Sequence, residues 1–180
     1  MTGRNMVTRG IFVGRFQPFH KGHLSAIIDI LERVKELVIV VGSAQYSHTL
    51  SNPFTVGERI TMIKISLEEI EIHPSRYWIV PVPDVNRGTL WVSQVVQYSP
   101  KFGLVFTNEP LTRRLFVEAG FPVEAVPFVD RQNYSASEIR KRMLRGEGWE
   151  ELVPPRVRAF IKEIDGVERL QDLNRTDKMG

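Results

Sequence analysis

Three features of this 180-residue chain predict a doubly wound α/β fold around a parallel sheet of five or more strands, finished by C-terminal helices. Short β-branched runs alternate with longer stretches of helical periodicity. The alternation continues through five strands with no internal repeat, low-complexity segment or linker, so a single domain is expected. Polar residues of unusual type cluster just after the strands, where open parallel sheets bind their ligands.

Gly10-Ile11-Phe12-Val13-Gly14 reads as the first buried strand, followed by a helix over Gly22 to Val34 with apolar Leu24, Ile27, Ile28 and Leu31. Leu37 to Gly42 is a second strand, β-branched and closed by glycine. Pro53 to Ile70 is helical, with Thr55 as N-cap and Glu58 completing a capping box. Tyr77 to Val82 is a strand and Gly88 to Tyr98 a helix carrying Leu90, Trp91, Val95 and Tyr98. Gly103 to Phe106, Pro110 to Ala119 and Val123 to Phe128 continue as strand, helix and strand, and helices over Ser135 to Arg145 and Pro154 to Ile164 follow. Residues 1–9 are expected as a loose extension and 171–180 as a loose polar tail, leaving 10–170 as the folded domain.

Hydrophobic residues make up 42% of the chain and charged residues 25%, as in soluble globular domains with a sizeable core. No run approaches the roughly 18 to 20 apolar residues of a membrane helix. Met1 to Arg9 carries no signal-peptide core, so the cytoplasm is the expected compartment. Zero cysteines exclude disulfides and thiolate metal sites. The net charge of +3 is dispersed, and no basic–aromatic stripe points to nucleic acid. No G-x-G-x-x-G follows the first strand and no G-x-x-x-x-G-K-[ST] occurs, which excludes the usual dinucleotide fingerprint and the P-loop.

His20-Lys21-Gly22-His23 carries the first chemical signal. With His at 4 of 180 positions and Gly near about 7% of residues, a chance H-x-G-H is expected in fewer than about one chain in a hundred. It lies at the carboxyl end of a strand and the amino end of a helix, where unpaired N–H groups and the helix dipole favour an anion. Arg15, Lys21, His20 and His23 fall within nine residues around that turn, and Gly22 lets the backbone approach a bound group. This is a phosphate site by composition and position.

Tyr134 to Arg140 carries the second. Ser135 with Glu138 reads as a capping box, which alone accounts for both residues. Arg140-Lys141-Arg142 then puts cations in the first turns, against the dipole, and a bound anion would offset that conflict. A second phosphate clamp is therefore expected here.

Together the motifs resemble the nucleotidylyltransferase superfamily, marked by H-x-G-H after the first strand and S-x-[ST]-x-x-R at a late helix start, and so imply a Rossmann-like domain. Gly14 to His23 (G-R-F-Q-P-F-H-K-G-H), Gly42 to Gln45 (G-S-A-Q), Ser47-His48, Asn52 to Thr55 with Gly57-Glu58-Arg59, Asp84, Leu90-Trp91-Val92 and Tyr134 to Leu144 narrow the likeness to the archaeal nicotinamide-mononucleotide adenylyltransferase family. It runs from about Gly10 to Leu170. The chain departs at Thr107-Asn108-Glu109-Pro110, where relatives carry S-G-N-P near the adenine.

The resemblance implies transfer of AMP from ATP to nicotinamide mononucleotide, giving NAD and pyrophosphate, with Mg²⁺ carried on the ATP phosphates and no metal-ligating protein residue. His20, His23, Arg15 and Arg140 are the implied catalytic residues. Gly14, Phe16, Gln17, Phe19, Lys21, Gly22, Asn108, Ser135, Ala136 and Ser137 are the implied ATP and phosphate contacts. Gly42, Ser43, Gln45, Asp84 and Trp91 would hold the mononucleotide, with the Trp91 ring stacked on the pyridine. Read alone, Trp91 is a core residue at helical spacing, Asp84 a loop or cap acid and His48 a loop histidine. A homo-oligomer, often a hexamer, is implied, with no nucleic-acid or membrane partner. Phosphopantetheine, nicotinate mononucleotide or a flavin remain alternative acceptors, and a non-catalytic NAD or ATP sensor is the alternative from another class.

Overall fold

The computed structural model describes residues 7–85, 88–127 and 134–177. The elements are β1 (Val7–Gly14), α1 (Lys21–Arg33), β2 (Val34–Val41), α2 (Val56–Glu69), β3 (Tyr77–Pro81), α3 (Gly88–Tyr98), β4 (Leu104–Phe106), α4 (Pro110–Glu118), β5 (Val123–Glu124), α5 (Ala136–Arg145), α6 (Pro155–Glu163) and α7 (Gly166–Asp177). Short 3-10 turns over Pro74–Arg76 and Glu150–Leu152 complete the described chain. No helix among the described residues is long and apolar enough to cross a membrane.

Packing divides the chain into two compact units. The first takes the described residues up to Gly14, then Ala26–Ser43 and His73–Pro127. The second takes Arg15–Ser25, Ala44–Ile72 and the described residues from Tyr134 onward. The chain alternates between them, so no change of composition marks a boundary.

The first unit holds the five-stranded, wholly parallel sheet in the order β3-β2-β1-β4-β5. The chain works outward from β1 to β3, then restarts on the other side of β1 with β4. Strand order therefore reverses between β1 and β4, and ligands of such sheets lie beyond the carboxyl ends at that reversal. Every residue from Leu37 to Val41 is 0% exposed. Because successive side chains point to opposite faces, β2 is buried on both, which is why it reads as a continuous apolar run. Val38 and Val40 join Ile11, Val105, the α3 residues Val92 and Val95, and Phe116 of α4 in one cluster.

The second unit is helical. The α2 start has the full expected box: the Thr55 side chain accepts from Glu58 N–H, and the Glu58 carboxylate accepts from Thr55 N–H. Glu58 also takes two bonds from Arg169 of α7, at 2.7 and 2.8 Å. Arg169 donates as well to the Pro53 carbonyl.

Several expectations are corrected. β1 begins at Val7 rather than Gly10, so residues 7–9 are strand and not loose extension; residues 1–6 lie outside the described residues. Polar pairing extends the strand past its apolar run: Arg9 donates two bonds to Glu36 of β2, at 3.0 and 2.7 Å, and the Trp78 indole donates to the same carboxylate. Only Val123–Glu124 of the fifth strand is strand, and Phe128 lies outside the described residues. The polar stretch from Gln171 is helical through Asp177, because α7 buries Leu170 completely and is tied by Arg169; residues 178–180 lie outside the described set.

Candidate active site

The H-x-G-H spacing has a direct structural meaning. His20 precedes the first residue of α1, and His23 is the third residue of that helix. His23 N–H donates to His20 Nδ1 and His20 N–H donates to His23 Nδ1, both at 3.3 Å. This is the reciprocal arrangement of a capping box, with two imidazoles replacing the usual hydroxyl and carboxylate. The rings stack with centroids 3.5 Å apart and planes 22° apart. Phe16 meets the His23 ring edge-on at 4.8 Å and Phe19 stacks on it at 5.5 Å.

Those bonds decide the protonation pattern. An Nδ1 that accepts a main-chain N–H carries no proton, so each neutral ring bears its hydrogen on Nε2. Burial pushes the His20 pKa down to about 3. Burial and the adjoining His20 ring hold His23 well below the ordinary range. The pair is thus two neutral Nε2–H donors, and two imidazoliums stacked 3.5 Å apart would repel.

Stability inherits a pH dependence from this. An unfolded histidine titrates near 6.5, whereas folded His20 titrates at about 3. Between those values the unfolded chain binds more protons, so stability is fully present above 6.5 and declines as pH falls below it. The slope is up to about 1.4 kcal/mol per pH unit for each ring. Denaturant midpoints measured at pH 7.5, 6 and 5 are expected to fall in that order; in a His20→Asn, His23→Asn double variant the fall is expected to shrink. An unchanged fall in that variant would contradict the assignment.

Two guanidiniums accompany the rings in this unit. Arg140 donates through Nη1 to the Gln17 carbonyl at 2.8 Å and through Nη2 to Ser137 Oγ at 3.4 Å. Burial and the charge of Arg15 lower its pKa to about 10. Arg15 is exposed, and neither arginine forms an ion pair with a carboxylate among the described residues. An anion bound to both would relieve their repulsion.

At α5, Ser135 accepts from Glu138 N–H as expected, with Ala136 the first helical residue. The Glu138 carboxylate does not return to the Ser135 N–H. It pairs with Arg142 one turn on, at 3.1 Å, because a guanidinium at i+4 offers a charged donor. The expected box is therefore half formed. Residues 131–133, just before this stretch, lie outside the described residues.

Several named contacts are committed elsewhere. The Gln17 amide donates to the Phe54 carbonyl and accepts from Phe54 N–H, at 2.9 and 3.0 Å, and the residue is 1% exposed. Phe16 and Phe19 are buried, and their rings hold His23. These three side chains therefore shape the loop from inside. Lys21 opens α1 and is partly exposed.

In the first unit, the Gly14 carbonyl accepts from Gly42 N–H at 2.9 Å, joining the ends of β1 and β2. Ser43 stands in the left-handed region at φ 51°, and both its N–H and its hydroxyl donate to the Asp84 carboxylate, at 3.2 and 2.7 Å. Asp84 thus sets the loop after β2. Trp91 is half-buried, edge-on to Phe116 at 5.8 Å and packed against the core cluster. Asn108 spends its amide on the Val126 backbone, as Gln17 does on Phe54, so its side chain is a brace. Glu109 caps α4 by accepting from Leu111 and Thr112 N–H, which gives the T-N-E-P departure a structural use. Gln45 belongs to the second unit and is exposed. His48 is exposed and bonded to the Ser47 hydroxyl.

The cytidylyltransferase-like family model matches residues 11–142, which span both motifs. The nicotinamide-nucleotide adenylyltransferase of Methanolobus tindarius is 50% identical over 170 residues, covering 94% of this chain and 96% of that one. That of Saccharolobus solfataricus is 47% identical over 172 residues, covering 96% and 100%. The chain belongs to the cytidylyltransferase-like family and, within it, to the nicotinamide-nucleotide adenylyltransferases. Thermococcus kodakarensis supplies a further member, 49% identical over 93% of this chain and 89% of its own. As a member of this family the chain is a nucleotidyltransferase. Among solved structures, a bifunctional NMN adenylyltransferase/ADP ribose pyrophosphatase from Francisella tularensis, complexed with AMP and a manganese ion, has a TM-score of 0.81 at 25% identity. The likeness covers 97% of this chain and 54% of the other, so the chain spans about half of that protein.

Sequence reasoning gave Arg59 no role beyond its place in G-E-R. Among the described residues it is the bulkiest fully buried side chain, donating to the Arg15 carbonyl at 2.9 Å and to the Thr55 carbonyl at 3.3 Å. Its signal was available: an arginine one residue after a capping-box glutamate, on the buried face of a helix.

Proposed function

We propose that the chain transfers AMP from ATP to nicotinamide mononucleotide, forming NAD and pyrophosphate. The observation that carries this reading is the His20–His23 box, with two neutral Nε2–H donors, in the same unit as the mutually repelling Arg15 and Arg140. A phosphate oxygen of the mononucleotide forms a bond to the α-phosphorus of ATP. The bond from that phosphorus to the bridging oxygen breaks, and its electron pair leaves with pyrophosphate. The attacking monoester has a second pKa of about 6 and is largely dianionic at neutral pH, so it needs no general base. What remains is alignment and charge stabilisation.

His20 and His23 donate Nε2–H bonds to the phosphates as negative charge grows on the leaving group. Neutral donors suit this step, because they need no proton at the operating pH and return none. Arg15 and Arg140 brace the same phosphates, with Ser135, Ser137 and the amides opening α5 closing around them. The loop offers donors and cations rather than carboxylates, so Mg²⁺ would arrive with the nucleotide and would supply charge neutralisation, with no side chain here to hold it. In the first unit, Gly42 and Ser43, set by Asp84, and the half-buried Trp91 would take the nicotinamide end, the indole by cation–π contact with the cationic ring.

The test supplies ATP, Mg²⁺ and one acceptor at a time and follows pyrophosphate. Product with pyridine mononucleotides alone supports the reading. Product with phosphopantetheine or a flavin mononucleotide instead, or tight NAD binding with no product from any acceptor, overturns it.

A further inference from the structure

We infer that Arg59 is a positioning residue for the phosphate loop, holding the Arg15 carbonyl so that the Arg15 guanidinium is presented to the nucleotide. The inference rests on the proposed role of Arg15. Phe16 adopts a left-handed backbone at φ 54°, a conformation that a bulky L residue keeps only when its surroundings impose it. The carbonyls on either side of it are both held by guanidiniums. Arg59 of α2 donates through Nη1 to the Arg15 carbonyl at 2.9 Å, and Arg140 of α5 donates to the Gln17 carbonyl at 2.8 Å. Gln17 is clasped in turn by the Phe54 backbone.

The base of the Arg59 staple is rigid. Its Nε donates to the Thr55 carbonyl, and the Thr55–Glu58 box fixes that end of α2. Arg169 then locks Glu58 with two bonds and also donates to the Pro53 carbonyl. A guanidinium that is 0% exposed carries a heavy desolvation cost, and it is kept here on main-chain carbonyls as well as in a helix core. Its planar fork reaches two carbonyls at fixed angles, which a lysine ammonium does not reproduce.

A double-mutant cycle tests this, using Arg59→Lys and Arg59→Met, each alone and combined with Arg15→Ala. In the parent, Arg59→Lys is expected to lower kcat/KM for ATP by about 10-fold and Arg59→Met by about 100-fold, on the scale seen when a reacting group is misplaced by about 1 Å. With Arg15 already removed, either change is expected to cost less than about 3-fold more, because coupled residues are non-additive. Equal losses with and without Arg15 mean a general structural role and overturn the inference, as does an Arg59→Lys enzyme with full kcat/KM. If the methionine variant does not fold, the lysine arm decides alone. Should the parent make no dinucleotide, the functional reading fails separately, and the same cycle is read in ATP affinity by calorimetry.

Discussion

Replacing His23 by alanine is expected to lower turnover by about 10²- to 10³-fold, the loss found when a preorganised donor to a developing anion is removed. Affinity for the mononucleotide should change by less than about threefold, since an interaction made only in the transition state appears in kcat. The alanine variant also loses stability, because His20 N–H loses its acceptor and Phe16 and Phe19 lose the ring they enclose. Asparagine separates the two effects. At the third helical position its side-chain oxygen accepts the His20 N–H, yet it places no donor where Nε2 stood. His23→Asn should therefore recover much of the thermal stability and almost none of the turnover. Turnover restored by asparagine would show that capping, rather than donation to phosphate, is what the ring contributes.

Gly22→Ala is expected to reduce turnover by about 10²-fold while leaving a folded protein, through displacement of the His20 and His23 rings. Helix propensity argues the other way, since alanine in a helix is better than glycine by about 1 kcal/mol. Close packing decides. A Cβ at Gly22 would lie 2.9 Å from Tyr134 Cβ and 3.0 and 3.1 Å from His20 Nδ1 and Cε1. Tyr134 Cβ is tied to its own backbone one residue before the α5 N-cap, whereas the His20 ring is the far end of a side chain, so the ring gives way and its box with His23 opens. Gly57 provides the control. It occupies the same second position of α2, and an added Cβ there meets nothing closer than Thr55 Oγ1 at 4.0 Å. Gly57→Ala should leave turnover unchanged and raise stability by about 0.5–1 kcal/mol. Equal behaviour of the two variants would mean that the tight contact at Gly22 is unimportant to the rings.

Much of this was legible in the residues because it depends on local rules. The five strands follow from short β-branched runs, and the α2 box from Thr55 and Glu58 three residues apart. The loop proposed to hold phosphate is visible as H-x-G-H at a strand–helix junction. Its deeper logic is not, because the spacing that makes the two histidines donors also makes them each other's caps, which shows only once both rings are placed. The amide partners of Gln17 and Asn108 are hidden for one shared reason: each pairs with a backbone 37 or 18 residues away, which no local pattern reveals. The α7 helix had a signal, apolar Val167, Leu170 and Leu173 at i, i+3 and i+6, but its polar composition outweighed it until burial of Leu170 and the Arg169–Glu58 pair were seen.

The proton's place on the two stacked rings is read from ¹⁵N spectra of histidine-labelled protein at pH 7, recorded with and without Mg·ATP. His20 and His23 are each expected to show a protonated Nε2 and an unprotonated Nδ1, with both Nε2 resonances shifted by nucleotide. Rings that carry the proton on Nδ1, that are doubly protonated, or whose Nε2 signals ignore the nucleotide would contradict this assignment.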